Sequence, residues 1–494
     1  MLIDRQQKSF KNARSVIFPF CCMVFTLLLS LKLNAAETSQ VKRSNVVIID
    51  ADDLGWRGLS SYGSELYETP NIDRLATEGI KFTNAYATGA VCSPTRASLL
   101  TGKTPARLHF THIVQAKGRW PGNSPLIEPD WTPFLPLEEV TIAEALKPNR
   151  YVNAHIGKWH IGGGYGEGQE DAPEANPLKQ GFDLNIAGSV SGQPPDYYFP
   201  YKRHYPNKSR AFQLRNMPPG KEGDYLTDVL TDQALAFLDR QSAQKGPFFL
   251  HMSFFTPHTS MGDRLQAKPE TIKKYKEKLK CLPDSAQKNP VYAAMIEHMD
   301  DAVGRIVGKL KKLGIEKNTV VLFISDNGGY GRKTSDLPLR GAKASCYEGG
   351  IRVPTIVYWP GIIEGGKVCD VPITTADIFP TVSEIAGATP KTNGEIDGRS
   401  IMPLLTGQGE WKDRPVFWHF PHYSQSVGPY SIVRQGDYKL IEFLEDGKLE
   451  LYDLKNDLSE KHNLATAKPE KVEELRTVLN KWRKNVDAQL PRKK

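Results

Sequence analysis

Short runs of Val, Ile and Phe recur along the chain, separated by longer stretches in which apolar residues return every three or four positions. The first pattern is that of strands buried on both faces, and the second is that of helices laid over them. Strands are expected at Asn45–Ile49, Tyr151–Ile156, Phe248–Phe255, Thr319–Ser325 and Pro354–Trp359. Helices are expected at Asn71–Glu78, Thr141–Leu146, Leu226–Gln241, Val291–Leu313 and Thr375–Ala386, with Gly314 placed to stop the fourth. The alternation predicts an α/β chain: a parallel sheet covered by helices on both faces. From about Trp411 the pattern shifts to short alternating segments, Ser431–Arg434, Tyr438–Phe443 and Leu449–Asp453, divided by Gly436-Asp437 and Asp446-Gly447. These read as a small antiparallel sheet with tight turns, closed by an amphipathic helix from Pro469 to about Leu490. The expected division is a large α/β domain over 37–410 and a smaller α+β subdomain over 411–494.

Composition narrows the class. With 494 residues, 39% hydrophobic and 24% charged, the chain has the profile of a folded protein, and disorder and fibrous repeats are excluded. The formal net charge is +8, but Arg5, Lys8, Lys11, Arg14 and Lys32 stand against Asp4 alone in the first 36 residues. The remainder is only mildly basic, which argues against nucleic acid as the partner. Residues 1–36 read as an export signal: a basic stretch to Arg14, an apolar run from Val16 to Leu31, and Asn34-Ala35-Ala36 as the cleavage site. The mature chain is expected to begin near Glu37, in the periplasm or outside a bacterial cell, with the membrane involved only in export; an uncleaved anchor is the alternative. Four cysteines follow the leader, Cys92, Cys281, Cys346 and Cys369, too few for a disulfide scaffold in a chain of this length, and at most one pair is expected to be structural.

In open α/β sheets ligands lie beyond the carboxyl ends of the strands, and here those ends are polar. The strand at Asn45 runs into Asp52-Asp53, and the strand at Thr319 runs into Asp326-Asn327. Three carboxylates and an amide form an all-oxygen set that suits a hard divalent cation, Ca²⁺ or Mg²⁺. Taken singly, each acidic pair also fits a turn that caps a strand. Strand alternation leaves Asp50 outside the set. The other strand ends are basic: Lys158 and His160 after Ile156, His258 after Phe255, and Lys343 before the strand at Pro354. Together they would surround an anion with donors beside the metal. The glycine-rich segment 162–166 lacks the spacing of a phosphate loop, and zinc motifs and a Gly-x-Ser-x-Gly elbow are absent.

The segment Cys92-Ser93-Pro94-Thr95-Arg96-Ala97-Ser98-Leu99-Leu100-Thr101-Gly102 begins like a helix, with proline in the first turn and a glycine stop. Cys92 would sit at its N-terminal end, where the helix dipole favours negative charge, with Arg96 one turn on. Cys-x-Pro-x-Arg followed by Leu-Thr-Gly resembles the signature of the type I sulfatases, in the alkaline phosphatase superfamily. The resemblance continues in order through Asn45–Gly55, Thr69–Asp73, Gly157–His160, Asp326–Gly329, Arg340–Lys343 and Glu348–Pro354.

That resemblance implies a large mixed, mostly parallel sheet between helices, and a catalytic residue made by oxidising Cys92 to formylglycine (3-oxoalanine). It implies one Ca²⁺, with Mg²⁺ less favoured, held by Asp52, Asp53, Asp326, Asn327 and the oxidised Cys92. Arg96 and His160 match groups that hold the formylglycine hydrate; Lys158, His258 and Lys343 match groups that bind sulfate, the last two beside the leaving oxygen. Lys103 is a further candidate neighbour. One hydroxyl of the hydrate attacks sulfur, and loss of the second hydroxyl's proton then re-forms the aldehyde and expels sulfate. Serine or unmodified cysteine has no second hydroxyl for that step. A formylglycine-generating or sulfatase-maturating enzyme is the implied partner.

The segments Pro194–His204 and Trp418–Tyr423, which includes His422, could line a sugar site or pack between the two domains. They look similar to segments of exported bacterial carbohydrate sulfatases, so a sulfated polysaccharide or oligosaccharide of galactose or N-acetylgalactosamine type is the expected substrate. A small aryl sulfate is the alternative, as is an inactive relative that only binds sulfated glycans.

Overall fold

The computed structural model describes residues 43–114, 116, 124–162, 175–204, 211–424 and 427–494. The expected leader and nearly all of the glycine-rich segment lie outside them. Residues 44–494 form one compact unit.

Eight strands make the central sheet: β1 (Asn45–Ala51), β2 (Ile80–Phe82), β3 (Val152–Gly157), β4 (Leu184–Ile186), β5 (Phe248–Ser253), β6 (Thr319–Ser325), β7 (Thr355–Tyr358) and β8 (Lys367–Cys369). Their spatial order is β8-β2-β7-β6-β1-β5-β3-β4. The middle of the sheet is parallel, with β1 between β6 and β5, while β7 runs against both of its neighbours. The sheet is therefore mixed and mostly parallel. Alternation along β1 sends Val47, Ile49 and Ala51 into one core and Val46 and Ile48 into the other. Helices α1 (Pro70–Glu78), α3 (Leu226–Gln244) and α4 (Pro290–Lys312) cover the first face; α2 (Cys92–Thr101) and α5 (Ile378–Ile385) cover the second. Helix α2 is buried along its whole length and stops at Gly102, whose φ of 72° lets its N–H turn back to the Ser98 carbonyl.

The C-terminal sheet is an antiparallel meander of β9 (Val416–Phe420), β10 (Tyr430–Gln435), β11 (Tyr438–Phe443) and β12 (Leu449–Asp453). One face, carrying Trp418, Ile432 and Ile441, packs on Tyr86, Val91, Cys346 and Ile351. The other face, carrying Val433, Leu440 and Leu451, is covered by helix α6 (Pro469–Asn485). That helix ends five residues short of Leu490, and Asp487 just beyond it has a left-handed φ of 51°. All four cysteines in the described residues are free thiols.

The joint between the meander and the sheet is electrostatic as well as apolar. Lys439 on β11 is fully buried and donates to Glu348 at 3.0 Å and to Glu460 at 2.8 Å, both also fully buried. Glu348 further accepts from Tyr86, and Glu460 accepts from the Glu348 backbone N–H. Burial pushes the Glu460 carboxyl up to about 7, whereas Glu348, despite the same burial, is held low by Lys439 and Arg352. Removing one partner of such a cluster leaves uncompensated charge in a dry site. Lys439→Met is expected to destabilise the fold by about 3–5 kcal/mol, measured as the shift in denaturant midpoint; a loss below 1 kcal/mol would show that Glu348 and Glu460 tolerate each other without the ammonium.

Candidate active site

Every charged group singled out at a strand end meets at the carboxyl edge of the parallel strands. Because β1 and β6 are in register, with Ala51 opposite Ser325, Asp52 and Asp53 emerge beside Asp326 and Asn327. Strand β3 delivers Lys158 through Gly157, whose φ is 110° and where an added Cβ would lie 1.8 Å from the Ser253 carbonyl oxygen, so only glycine allows the close approach. The loop after β5 carries His258, the segment after β6 carries Lys343, and the first turn of α2 carries Cys92 and Arg96.

The carboxylates are interlocked with cations. Lys158 Nζ is 2.7 Å from Asp52 Oδ2, and Lys343 Nζ is 2.7 Å from Asp53 Oδ1. Arg96 donates through Nε and Nη2 to Asp326 Oδ2, at 2.9 and 2.7 Å. Asn327 donates through Nδ2 to Asp53 Oδ1 at 2.7 Å, and the Asp53 N–H reaches Asp326 Oδ1 at 3.2 Å. His258 Nε2 lies 3.5 Å from Asp53 Oδ2, and the Cys92 sulfur lies 3.8 Å from Asp52 Oδ1. One ligand atom from each of Asp52, Asp53, Cys92 and His258 falls within a mutual span of 4.8 Å. Asp53 and His160 both hold left-handed backbone, with φ of 64° and 57°, a strain of the sort that gathers at functional sites. Exposure is one-sided: the His258 and Lys343 side chains are 14% and 18% exposed, while those of Asp52, Asp326, Arg96 and Lys158 are at most 1% exposed.

The sulfatase family profile matches residues 44–388, and the profile described as N-sulphoglucosamine sulphohydrolase, C-terminal, matches residues 342–488. The chain belongs to the sulfatase family. A sulfatase of Formosa agariphila is 34% identical, with 90% of this chain and 89% of that protein covered. The N-acetylgalactosamine-6-sulfatase of Rattus norvegicus is 32% identical over 80% of this chain and 72% of its own. The crystal structure of Ps i-CgsB superposes with a TM-score of 0.73 at 30% identity, covering 89% of this chain and 92% of that one. The protein is thus a sulfuric ester hydrolase with the fold of the alkaline phosphatase superfamily.

The sulfatase's acidic cluster is under electrostatic tension. Burial, together with Asp326 and Asp53 alongside, pushes Asp52 well above the usual carboxylate range even though Lys158 pulls it down. Asp326 is held low by Arg96 and Lys158 against the same burial. The Asn327 Oδ1 atom is buried with no hydrogen-bond partner among the described residues, an acceptor aligned with crowded carboxylates. Buried carboxylates that raise one another's pKa, with an unpaired amide oxygen among them, are the donor set a hard cation would satisfy, and the residues fit a bound metal ion. Burial and the nearby Lys343 push His258 down to about 3; burial, Lys158 and Arg96 push His160 well below its usual value. Both imidazoles are neutral near pH 7.

Cys92 behaves differently from the sequence expectation. Burial pushes its thiol up to about 12, outweighing Lys158 and Lys343, so the encoded residue is a neutral thiol despite its helix N-terminal place. Two candidate contacts are also corrected. Lys103 follows the far end of α2, about 15 Å of helix from Cys92, and its ammonium is bound by Glu139 and the Asn393 carbonyl. His422 is sealed off: Nε2 meets Thr111 Oγ1 at 2.8 Å, Nδ1 lies 3.4 Å from Glu128, and His112, Trp131 and Phe420 pack against the ring. A sugar could touch it only by displacing them. In the same segment Trp418 donates to the Ala87 carbonyl and His419 bridges Ser431 and the Gln489 carbonyl, so these residues pack the meander onto the main body. Tyr197, in the other aromatic segment, donates to the carbonyls of Phe255 and His258 and so supports the histidine loop.

Three contributors escaped the sequence reading. Asp50 lies 2.9 Å from Arg96 Nη1, and Ser253 Oγ accepts from the same nitrogen at 2.6 Å. Tyr292 on α4 donates to the Asp53 carbonyl. The signal for Asp50 was a polar residue closing an apolar run, whereas Ser253 lies inside the run Phe248–Phe255 and gave none.

Buried neutral histidines make stability depend on acid. His155 is pushed down to about 3 and His419 to about 4, mainly by burial, whereas an unfolded chain takes up these protons near pH 6.5. Each such histidine contributes stability that is complete above that value and is lost as pH drops toward 4, by up to about 1.4 kcal/mol per pH unit, while Glu460, raised to about 7, contributes in the opposite sense. Urea unfolding at pH 7, 5.5 and 4.5 should show this slope, and His419→Gln should make it shallower; an equal slope would mean that His419 is protonated in the folded state.

Proposed function

We propose that this sulfatase removes sulfate from a sulfated polysaccharide or oligosaccharide outside the cytoplasm, with Cys92 oxidised to formylglycine as its nucleophile. The observation that carries the reading is the convergence of the Cys92 side chain with Asp52, Asp53 and His258 inside a ring formed by Arg96, Lys158 and Lys343. Oxidation would give position 92 an aldehyde, and addition of water to it two geminal hydroxyls, one to attack sulfur and one whose proton is lost as sulfate departs. A divalent cation, Ca²⁺ in preference to Mg²⁺ because the donors are carboxylate and amide oxygens, would be held by Asp52, Asp53, Asp326, Asn327 and the oxidised residue, and supplies positive charge next to the reacting oxygens.

The chain's own groups divide the remaining work. Lys158, fully enclosed, meets the inner oxygens of the sulfate. Arg96 and His160 hold the hydrated aldehyde. Burial opposes the charge on Lys343, but Asp53 holds the ammonium charged, and its place at the solvent-reached side is what suits Lys343 to give the leaving alkoxide a proton. His258, neutral, faces the same opening. The outer, solvent-reached side of the site is where the sugar would sit.

The carbohydrate reading is supported by Ps i-CgsB, crystallised in complex with k-i-k-neocarrahexaose, and by the rat relative's name as an N-acetylgalactosamine-6-sulfatase. We place the substrate among galactose- or N-acetylgalactosamine-based sulfated chains. Export follows from residues 1–36, and the maturation partner from the need to oxidise Cys92. Among the described residues no helix is long and apolar enough to cross a membrane.

The deciding experiment is a mass spectrum of the Cys92 peptide from a host that oxidises sulfatase cysteines, followed by sulfate release from sulfated galactan oligosaccharides and from an aryl sulfate. An aldehyde with release from the oligosaccharide is expected. An unmodified thiol would favour a glycan-binding relative without activity, and release from the aryl sulfate alone would overturn the carbohydrate assignment. Cys92→Ala should lower turnover by more than about a thousandfold with an unchanged melting temperature. Asp326→Ala should weaken calcium binding by at least about tenfold, measured by calorimetry, and lower activity with it.

A further inference from the structure

Strand β1 breaks its own pattern at one position. On the face toward α2 it presents Val46 and Ile48 and then Asp50, which is fully buried, where packing alone calls for another aliphatic residue. A buried carboxylate is costly unless it is matched, and this one is matched to a single cation. Asp50 Oδ2 lies 2.9 Å from Arg96 Nη1. Ser253, opposite Asp50 in the β1–β5 register, accepts from that same nitrogen at 2.6 Å and donates a hydrogen bond to the Lys158 carbonyl at 2.7 Å. Asp326 takes the other edge of the guanidinium. The planar fork is thereby hydrogen-bonded to Asp326 along one edge and to Ser253 at Nη1, with the Asp50 carboxylate beside Nη1 as an ion pair outside hydrogen-bond geometry.

Asp50 is itself backed. His251 Nε2 lies 4.0 Å from Asp50 Oδ2, and His251 Nδ1 is 3.1 Å from His155 Nδ1. Trp159, Phe182 and Phe249 pack around the two imidazoles, and burial keeps both neutral. A stack of neutral rings behind the carboxylate confines Asp50 to the side on which Arg96 stands.

We propose that Asp50 is a positioning residue, acting through Arg96 on the hydrated aldehyde at position 92. The proposal rests on the formylglycine reading above. With Asp50 present, its charge draws Arg96 Nη1 toward the sheet and the hydrate is held; without it, Nη1 keeps only its neutral acceptors, Ser253 Oγ and the Lys158 carbonyl, and the hold on the hydrate loosens. The effect belongs to the chemical step, because Asp50 touches neither the outer side of the site nor the group of ligand atoms around Asp52 and Asp53.

The test compares oxidised wild-type protein with Asp50→Asn, which keeps the shape and loses the charge, and Asp50→Leu, which restores the strand's apolar pattern. Three properties are read: the rate at which hydroxylamine traps the aldehyde, kcat and KM for a sulfated galactan oligosaccharide, and calcium affinity with melting temperature. Trapping is expected to be about tenfold faster in both variants, with kcat lower by about 10–100-fold and with KM, calcium affinity and aldehyde content by mass spectrometry near the wild-type values. Equal trapping rates in folded, fully oxidised variants would overturn the proposal. So would a fall in kcat that merely follows lost calcium or a lower melting temperature. Absence of aldehyde in the wild-type protein would sink the formylglycine reading itself, an outcome distinct from equal trapping in aldehyde-bearing proteins.

Discussion

Crowded negative charge at one edge of the sheet is the constraint around which the rest of the molecule is arranged. Asp50, Asp52, Asp53 and Asp326 sit within a few residues of two adjacent strand ends, all buried, and no sheet would tolerate them without compensation. Arg96, Lys158 and Lys343 reach them from three separate elements: a helix, a neighbouring strand end and a long connection. Each of those elements must therefore be placed to within hydrogen-bonding distance, and the fold can be read as the machinery that does so. Helix α2 is buried on every side, Gly157 lets β3 press against β5, and the meander grips the segments that flank Cys92 and Lys343. The same crowding that is a liability for folding is what makes the edge receptive to a cation and an anion together.

Much of this arrangement is legible in the sequence because buried parallel strands are unbroken apolar runs that end abruptly. Thr319–Ser325 is such a run, and the polar residues after it and after β1 announced the site before any geometry was known. The helix at Cys92 was readable from Pro94 and Gly102. Strand direction was not readable: β7 is as apolar as its neighbours, yet it runs against them, and nothing in four residues of Thr-Ile-Val-Tyr encodes the difference. The three-residue strands β2, β4 and β8 are too short to carry a period. Lys103 and His422 misled for a different reason. Proximity in sequence to a motif says little about a side chain ten residues along a helix, and an aromatic-rich segment looks the same whether it lines a cleft or fills a seam. Strand alternation sets Asp50 aside, and Ser253 escapes notice because it lies inside the run Phe248–Phe255 and so reads as part of a strand rather than as part of a site.

The joint built from Glu348, Lys439 and Glu460 has a bearing on how such enzymes diversify. It is internal, and it ties Glu348, five residues after Lys343, to Lys439 near the start of β11, two residues past the Gly436-Asp437 turn. The turn between β11 and β12, at the opposite end of the strand, can lengthen, shorten or change composition while Lys343 stays where it is. The C-terminal sheet is in that sense anchored at one end and free at the other: its far turn can be rewritten by evolution without retuning the charge balance at the reacting centre.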